Sequence, residues 1–371
     1  MERRFWKPSL TSQFRICPIP YHMDTYRGCM YDCRYCFARD IVTFHRRKTK
    51  KPFTYLVGNR PDLFEKWIKR TMEADYNYDK GEEVAFKECI PLKIGATSDP
   101  FPLVEGKEHV TFDMLKVLHT YDYPTEIQTK NPSILADYFD EMDIDNPNWI
   151  VAVTLISTDE GFLKVCEPNA PSASERLESI KALTKKGINA MVKIQPAIYP
   201  KILEDLPDLV KGIKEAGCWA FNMEGLKVRI SMMKEEQMIL KEISDYLGYD
   251  IRETYKKEQR TGSDWELLTR KKKEYTDLAV QLGKKHDIKF FSADNDISAG
   301  DGCECCGTEV LHDYKILNSL RNSNFETKTP LSSALERCKI NFCRRSIDQT
   351  IGEALAKERS LKKQKKWLES I

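Results

Sequence analysis

The chain has 371 residues, 41% of them hydrophobic and 31% charged, and a formal net charge of only +2. A chain of this length buries a full core, and one large domain with an appendage fits it as well as two domains. The balance of charge excludes bulk electrostatic attraction to nucleic acid, so any basic character must be local.

Twelve cysteines make a disulfide framework arithmetically possible. A chain so long and so rich in Lys and Glu does not resemble a small secreted scaffold, and reduced thiols serving as metal ligands in a cytoplasm are the better reading. The start, MERRFWKPSLTSQF, lacks the basic, apolar and small-residue order of a signal peptide, and no apolar run is long enough to cross a bilayer. A cytoplasmic protein without a membrane partner is expected.

Taken in chain order, YHMDTY (21–26) is a candidate first strand, and the stretch RGCMYDCRYCFAR follows it. Cys29, Cys33 and Cys36 then share one loop, with three residues and two between them. A thiolate triad this close faces one centre, and three ligands for a four-iron cluster leave one iron open to bind something else. The residues alone also admit a structural zinc loop, whose usual pattern adds a second cysteine pair downstream. Short apolar runs at 91–95, 125–129, 150–155, 190–194 and 218–222 are candidate strands, with amphipathic segments between them. This is the rhythm of repeated βα units and a parallel sheet. SASERLESIKALTKKG is the clearest helix: Leu177, Ile180 and Leu183 share one face, and Gly187 can end it. It runs into the buried-looking strand NAMVKIQP, as LPDLVKGIKEAG runs into CWAFN. Ligands collect at the carboxyl ends of parallel strands, where the cysteine loop also falls.

Five segments in order, YRGCMYDCRYCFAR, GATSDPFP, PTEIQTKNPSIL, VAVTLIST with VCEPNAPSASERLESIKALTKKGI, and KIQPAI, resemble the radical S-adenosylmethionine (SAM) proteins related to spore photoproduct lyase. The resemblance covers roughly residues 20 to 225. It implies an α/β fold, a partial (β/α)6 TIM-like radical SAM barrel, over residues 1–228. Residues 229–371 would form a helical, cysteine-rich carboxyl-terminal extension. It also implies a [4Fe-4S] cluster on Cys29, Cys33 and Cys36, SAM as cofactor, and a flavodoxin- or ferredoxin-like electron donor. The electron passed to SAM would release a 5'-deoxyadenosyl radical that removes hydrogen from a substrate. By the same resemblance Ser98, Lys130, Ser157 and Gln195, at successive strand ends, would hold SAM. Glu167 and Arg176 flank a turn and a helix start, and a structural ion pair or a capping role is expected of them.

Two departures weigh against repair of thymine photoproducts. Where that lyase places a cysteine hydrogen donor and a tyrosine, this chain has Ala96 and Phe37, which can neither give up nor relay a hydrogen atom. Cys89 and Cys166 lie near the right strands as substitute donors, although a buried small hydrophobe is the commoner fate of a single cysteine.

Beyond residue 226 the resemblance fades, and 229–286 reads as helices dense in Lys and Glu with a polar interruption at QRTGSD. A short apolar strand, DIKFFS, precedes Cys303, Cys305 and Cys306, and Cys338 and Cys343 follow. These five suggest a second metal site, an auxiliary iron-sulfur cluster or zinc, with free core thiols as the alternative. Basic runs at 45–51, 270–273 and in the tail KERSLKKQKKW are solvated faces unless they converge beside the barrel to guide a phosphate backbone. Phe53, Tyr55, Tyr76 and Tyr78 could then stack bases, although core roles are commoner. A nucleic acid or nucleotide is the first expectation for the substrate, and a peptide or small metabolite is the second. A non-catalytic zinc protein that binds nucleic acid is a different class of answer.

Overall fold

The structure, a computed structural model, describes residues 1–10, 19, 21–39, 51–75, 81–142, 147–232, 234–294, 296–297, 299–301 and 306–314. The strands, in chain order, are β1 (Ser9–Leu10), β2 (Tyr21–Met23), β3 (Tyr26–Arg27), β4 (Val57–Gly58), β5 (Leu92–Ile94), β6 (Thr125–Thr129), β7 (Trp149–Thr154), β8 (Asn189–Ala197), β9 (Ala220–Gly225), β10 (Val228–Arg229), β11 (Gln259–Thr261), β12 (Asp264–Glu266) and β13 (Lys289–Ser292). The main sheet runs β1-β2-β5-β6-β7-β8-β9-β13. β1 is antiparallel to β2, and the next six pairings are all parallel. Neighbours in the sheet are successive in the chain and helices lie between them, which is the order of a TIM-like (β/α) barrel. The two edge strands, β1 and β13, do not pair with each other among the described residues, so the barrel is partial.

Alternation along each strand divides the side chains between two faces. Val151, Val153, Val192, Ile194, Phe221 and Met223 pack into the large core under the helices. Ile150, Ala152, Met191, Ala220 and Phe291 turn to the other face and pack with Leu311 and Trp219, so that segment 306–314 covers one end of the barrel interior. Asn148 on the approach to β7 fixes that segment, donating to His312 O at 2.8 Å and accepting from His312 N at 2.9 Å.

Helix Ala173–Lys185 forms where its sequence pattern places it and buries Ile180 and Leu183. A capping box starts it: Ser172 Oγ accepts from Glu175 N at 3.2 Å, and the Glu175 carboxylate accepts from Ser172 N at 2.8 Å. Gly187 follows its end at φ +78°, a conformation that glycine adopts without penalty. Ser172→Ala should cost about 1 kcal/mol of stability, read as a lower urea midpoint at unchanged slope.

The sheet continues beyond residue 228, where the composition changes. β13 pairs in parallel with β9, Phe290 opposite Phe221, and becomes a seventh parallel strand where six were expected. Helix Thr269–His286 leads into it and buries Tyr275, Ala279 and Leu282. The polar interruption QRTGSD is a hairpin, β11 antiparallel to β12, and β10 adds to its other side. No helix among the described residues is long and apolar enough to cross a membrane.

Candidate functional site

The cysteine loop leaves β3 at the carboxyl end of β2 and is held from several directions. Cys29 N donates to Phe53 O at 3.2 Å, Cys36 N to Cys33 O at 3.2 Å, and Arg34 N to Cys166 O at 2.8 Å. Ser98, in the loop after β5, donates from its hydroxyl to Gly28 O, next to Cys29. Tyr31 donates to Phe101 O, and Asn169 Nδ2 donates to Met30 O at 3.1 Å. With so many backbone groups engaged, the loop is a preformed holder rather than a free turn.

Burial pushes the Cys29 thiol up to about 12, with the nearby Asp99 carboxylate adding to the effect. Burial likewise raises Cys33 and Cys36, and Lys130 opposes the rise at both. All three belong to the one loop that Ser98, Asn169 and the Cys166 carbonyl tether at the rim. Thiolates held out of water need a metal or a cation to compensate them. Among the described residues the trio whose ligand atoms gather within 4.8 Å is Asp122, His312 and Asp313, all exposed. The donor set, three thiols with one cation beside them, fits a cluster that keeps one iron without a protein ligand.

The four residues expected to hold SAM stand at the carboxyl ends of β5, β6, β7 and β8. Lys130 follows β6 directly. Its half-buried ammonium lies 3.9 Å from Glu167 Oε1 and 5.6 Å above the Tyr35 ring. Its backbone N donates to Asp99 Oδ2 at 2.7 Å. Ser157 is fully buried beyond β7, donating to Asp205 and accepting from Asp159 N at 2.9 Å. Gln195, near the end of β8, donates to Asn222 Oδ1 at 3.1 Å. The hydroxyls of Ser98 and Ser157 therefore already brace loops at this rim, as Lys130 and Gln195 already have side-chain neighbours.

Glu167 and Arg176 form the expected ion pair, and both are buried. Arg176 also donates through Nε to Pro171 O and through Nη1 to Thr154 O, each at 2.9 Å. Tyr35, between two of the cysteines, donates to Glu167. The pair is thus an anchor for the cysteine loop, a role wider than closing a helix.

Cys89 ends a turn before β5, at the strand's amino end and away from the cysteine loop. Cys166 lies in the hydrophobic core, where burial raises its thiol, and its carbonyl accepts from Arg34 N of the loop. Cys306 is buried against Ile19, with its sulfur 3.9 Å from Lys93 Nζ. Cys303, Cys305, Cys338 and Cys343 lie outside the described residues, as do Tyr76, Tyr78, residues 45–50 and the basic tail. Of the aromatics, Phe53 is core and Tyr55 donates to Glu2. In the run 270–273, Lys271 pairs with Glu258, while buried Lys272 meets Glu266 at 2.7 Å and Asp296 at 2.9 Å. Half of that run is therefore engaged in ion pairs with the protein itself.

Sequence reading passed over Asp99, the centre of this rim. It accepts from Phe101 N at 3.0 Å, Thr129 Oγ1 at 2.8 Å and Lys130 N. The available signal was an aspartate before proline just beyond a strand. It also passed over Glu126 inside the barrel, fully buried, with Lys193 Nζ at 3.2 Å and Lys93 Nζ at 3.6 Å.

No family model matches the chain. An uncharacterized protein of Methanocaldococcus jannaschii is 26% identical over 282 residues, 74% of this chain and 90% of that protein. An uncharacterized protein of Mycobacterium tuberculosis is 25% identical over 223 residues, 57% of this chain. The match spans 60% of the length of that mycobacterial relative. Among solved structures, a spore photoproduct lyase mutant superposes with a TM-score of 0.54 at 15% identity, over 78% of this chain and 80% of its own. Another, with bound AdoMet and dinucleoside spore photoproduct, gives 0.52 at 14% identity, over 76% and 80%. The chain has the fold of spore photoproduct lyase, as the sequence resemblance implies.

Proposed function

We propose that this protein is a radical SAM enzyme whose cluster site is Cys29, Cys33 and Cys36. The observation that carries the reading is the tethered three-thiol loop, with Cys33 buried and Cys29 and Cys36 half-buried, at the carboxyl rim of a parallel sheet with the lyase's fold. A [4Fe-4S] cluster held there would supply the one-electron reducing power for cleavage of SAM to a 5'-deoxyadenosyl radical. The chain's own residues do the rest. The cysteines would hold the cluster, and Lys130 would supply a half-buried positive charge for the carboxylate of SAM. Ser98, Ser157 and Gln195 line the same rim with hydroxyl and amide groups that suit the amino acid, ribose and adenine of SAM. The sheet's core and the loops around the cysteines exclude water from a reactive species. An electron donor of the flavodoxin or ferredoxin class goes with this chemistry, and a cytoplasmic setting goes with reduced thiols.

Nucleic acid or nucleotide is the substrate class we favour. Support comes from the fold shared with a lyase whose structure holds a dinucleoside photoproduct. Ala96 and Phe37 argue against the lyase's own reaction. A peptide or small metabolite is the second reading, and a second cluster or zinc at Cys303, Cys305, Cys306, Cys338 and Cys343 would favour the peptide.

Iron-reconstituted protein incubated without oxygen with SAM and a strong reductant should release 5'-deoxyadenosine, measured by mass spectrometry. Changing Cys29, Cys33 and Cys36 together to Ala should abolish it. Added single-stranded DNA or RNA should increase the yield more than added peptide. Cluster-loaded protein that releases none under any of these conditions would overturn the reading, and colourless protein with zinc and no iron would support the binding-protein alternative.

A further inference from the structure

The charges around the cysteine loop form a buried chain of alternating sign. Lys130 Nζ lies 3.9 Å from Glu167 Oε1, and Arg176 pairs with the carboxylate's other oxygen. The side chains of Glu167 and Arg176 have no solvent exposure, and that of Lys130 has little. Tyr35, between two ligand cysteines, donates to Glu167, and Lys130 sits over its ring. The loop and the charges therefore share one hub.

We propose that Glu167 is a positioning residue for the metal site, and that the chain Lys130, Glu167, Arg176 sets the reduction potential of the cluster on Cys29, Cys33 and Cys36. The inference rests on the functional reading above. Its physical basis is that a cluster gains negative charge on reduction, so nearby buried cations favour the reduced form and anions the oxidised form. These charges reach the loop through Tyr35, which stands between Cys33 and Cys36: its hydroxyl donates to Glu167, and Lys130 Nζ lies 5.6 Å over its ring. In water such effects would be screened, but a fully buried pair is screened far less. Glu167 cancels a cation that its neighbours would otherwise leave facing the loop, and so holds the potential low. A low potential suits a centre that must pass an electron to a reluctant acceptor.

Glu167→Gln tests this directly, because the amide oxygen can still accept from Tyr35 and keep the tether while the charge is lost. Reconstituted proteins would be titrated against a potential scale, without SAM, and the reduced cluster counted by its paramagnetic signal. Glu167→Gln should raise the potential, giving roughly tenfold more reduced cluster at a fixed poise, about 59 mV for a one-electron couple. Arg176→Met should lower it, and Glu167→Gln combined with Arg176→Met should return it close to the wild-type value. Arg176→Lys keeps the charge and should leave the potential in place. A purely structural hub would change iron content without moving the potential in opposite directions. Loaded single variants with the wild-type potential, or both shifted the same way, would overturn the proposal. If Arg176→Met fails to fold, Glu167→Gln and the double variant decide it by the same readout. Wild-type protein that takes up no iron-sulfur cluster would overturn the functional reading, and this inference with it.

Discussion

Gly95→Ala is expected to lower stability by about 4 kcal/mol or more, which few single substitutions do. Gly95 follows β5 at φ +88°, and a Cβ built there would stand 2.2 Å from Gln128 O and 2.9 Å from Pro100 Cδ. Gln128 belongs to β6, whose backbone is fixed by parallel pairing with both neighbours, so its carbonyl cannot withdraw. The loop that carries Ser98 and Asp99 would have to lift off the sheet instead. Gly187→Ala is the matched control. It shares the positive φ, +78°, but a Cβ there meets nothing within 4 Å, so only the left-handed penalty of about 1–2 kcal/mol applies. Urea unfolding of both variants separates the two terms. Equal costs would mean that the close approach of this loop to β6 is not a constraint on the fold.

The parallel strands were legible because strands buried on both faces are short apolar runs between amphipathic helices. Thr125–Thr129 falls where its sequence pattern ends, and the others differ from expectation by one to three residues at an end. The cysteine loop was legible because ligand spacing is local. What remained hidden depends on partners distant in sequence. TEIQT looks half-solvated, yet Glu126 faces the barrel interior, where Lys193 from two strands away meets it. A charged residue alternating with apolar ones looks the same whether that face meets water or a buried counter-charge. DIKFFS was readable as a strand, but nothing local says that it returns to the edge of β9 after more than sixty residues. The hairpin in QRTGSD has few apolar side chains to mark it. For the same reason the rim's hydroxyls read as ligand groups, whereas Ser98 and Ser157 also hold loops together.

Asp99→Ala is expected to loosen this rim and lower stability by about 4 kcal/mol, since each buried donor left without a partner costs about 1–3 kcal/mol. One carboxylate serves three donors: the amides of Phe101 and Lys130 and the hydroxyl of Thr129. It thereby fastens the loop after β5 to the end of β6, with the cysteine loop touching the first and Lys130 starting from the second. Burial raises its pKa while the three donors pull it down, so this clamp forms against a desolvation cost. Asp99→Asn retains the shape but turns one acceptor into a donor, and should cost less than Asp99→Ala. On the functional reading, both should weaken SAM-dependent formation of 5'-deoxyadenosine more than they reduce iron content, because the cysteines keep their other ties while Lys130 loses its backbone anchor. Urea unfolding, iron content and product yield on the same samples test the argument. A stability within 1 kcal/mol of wild type for Asp99→Ala would show that the loop is held without the clamp. Iron lost in step with product would instead place the role of Asp99 at the cysteine loop.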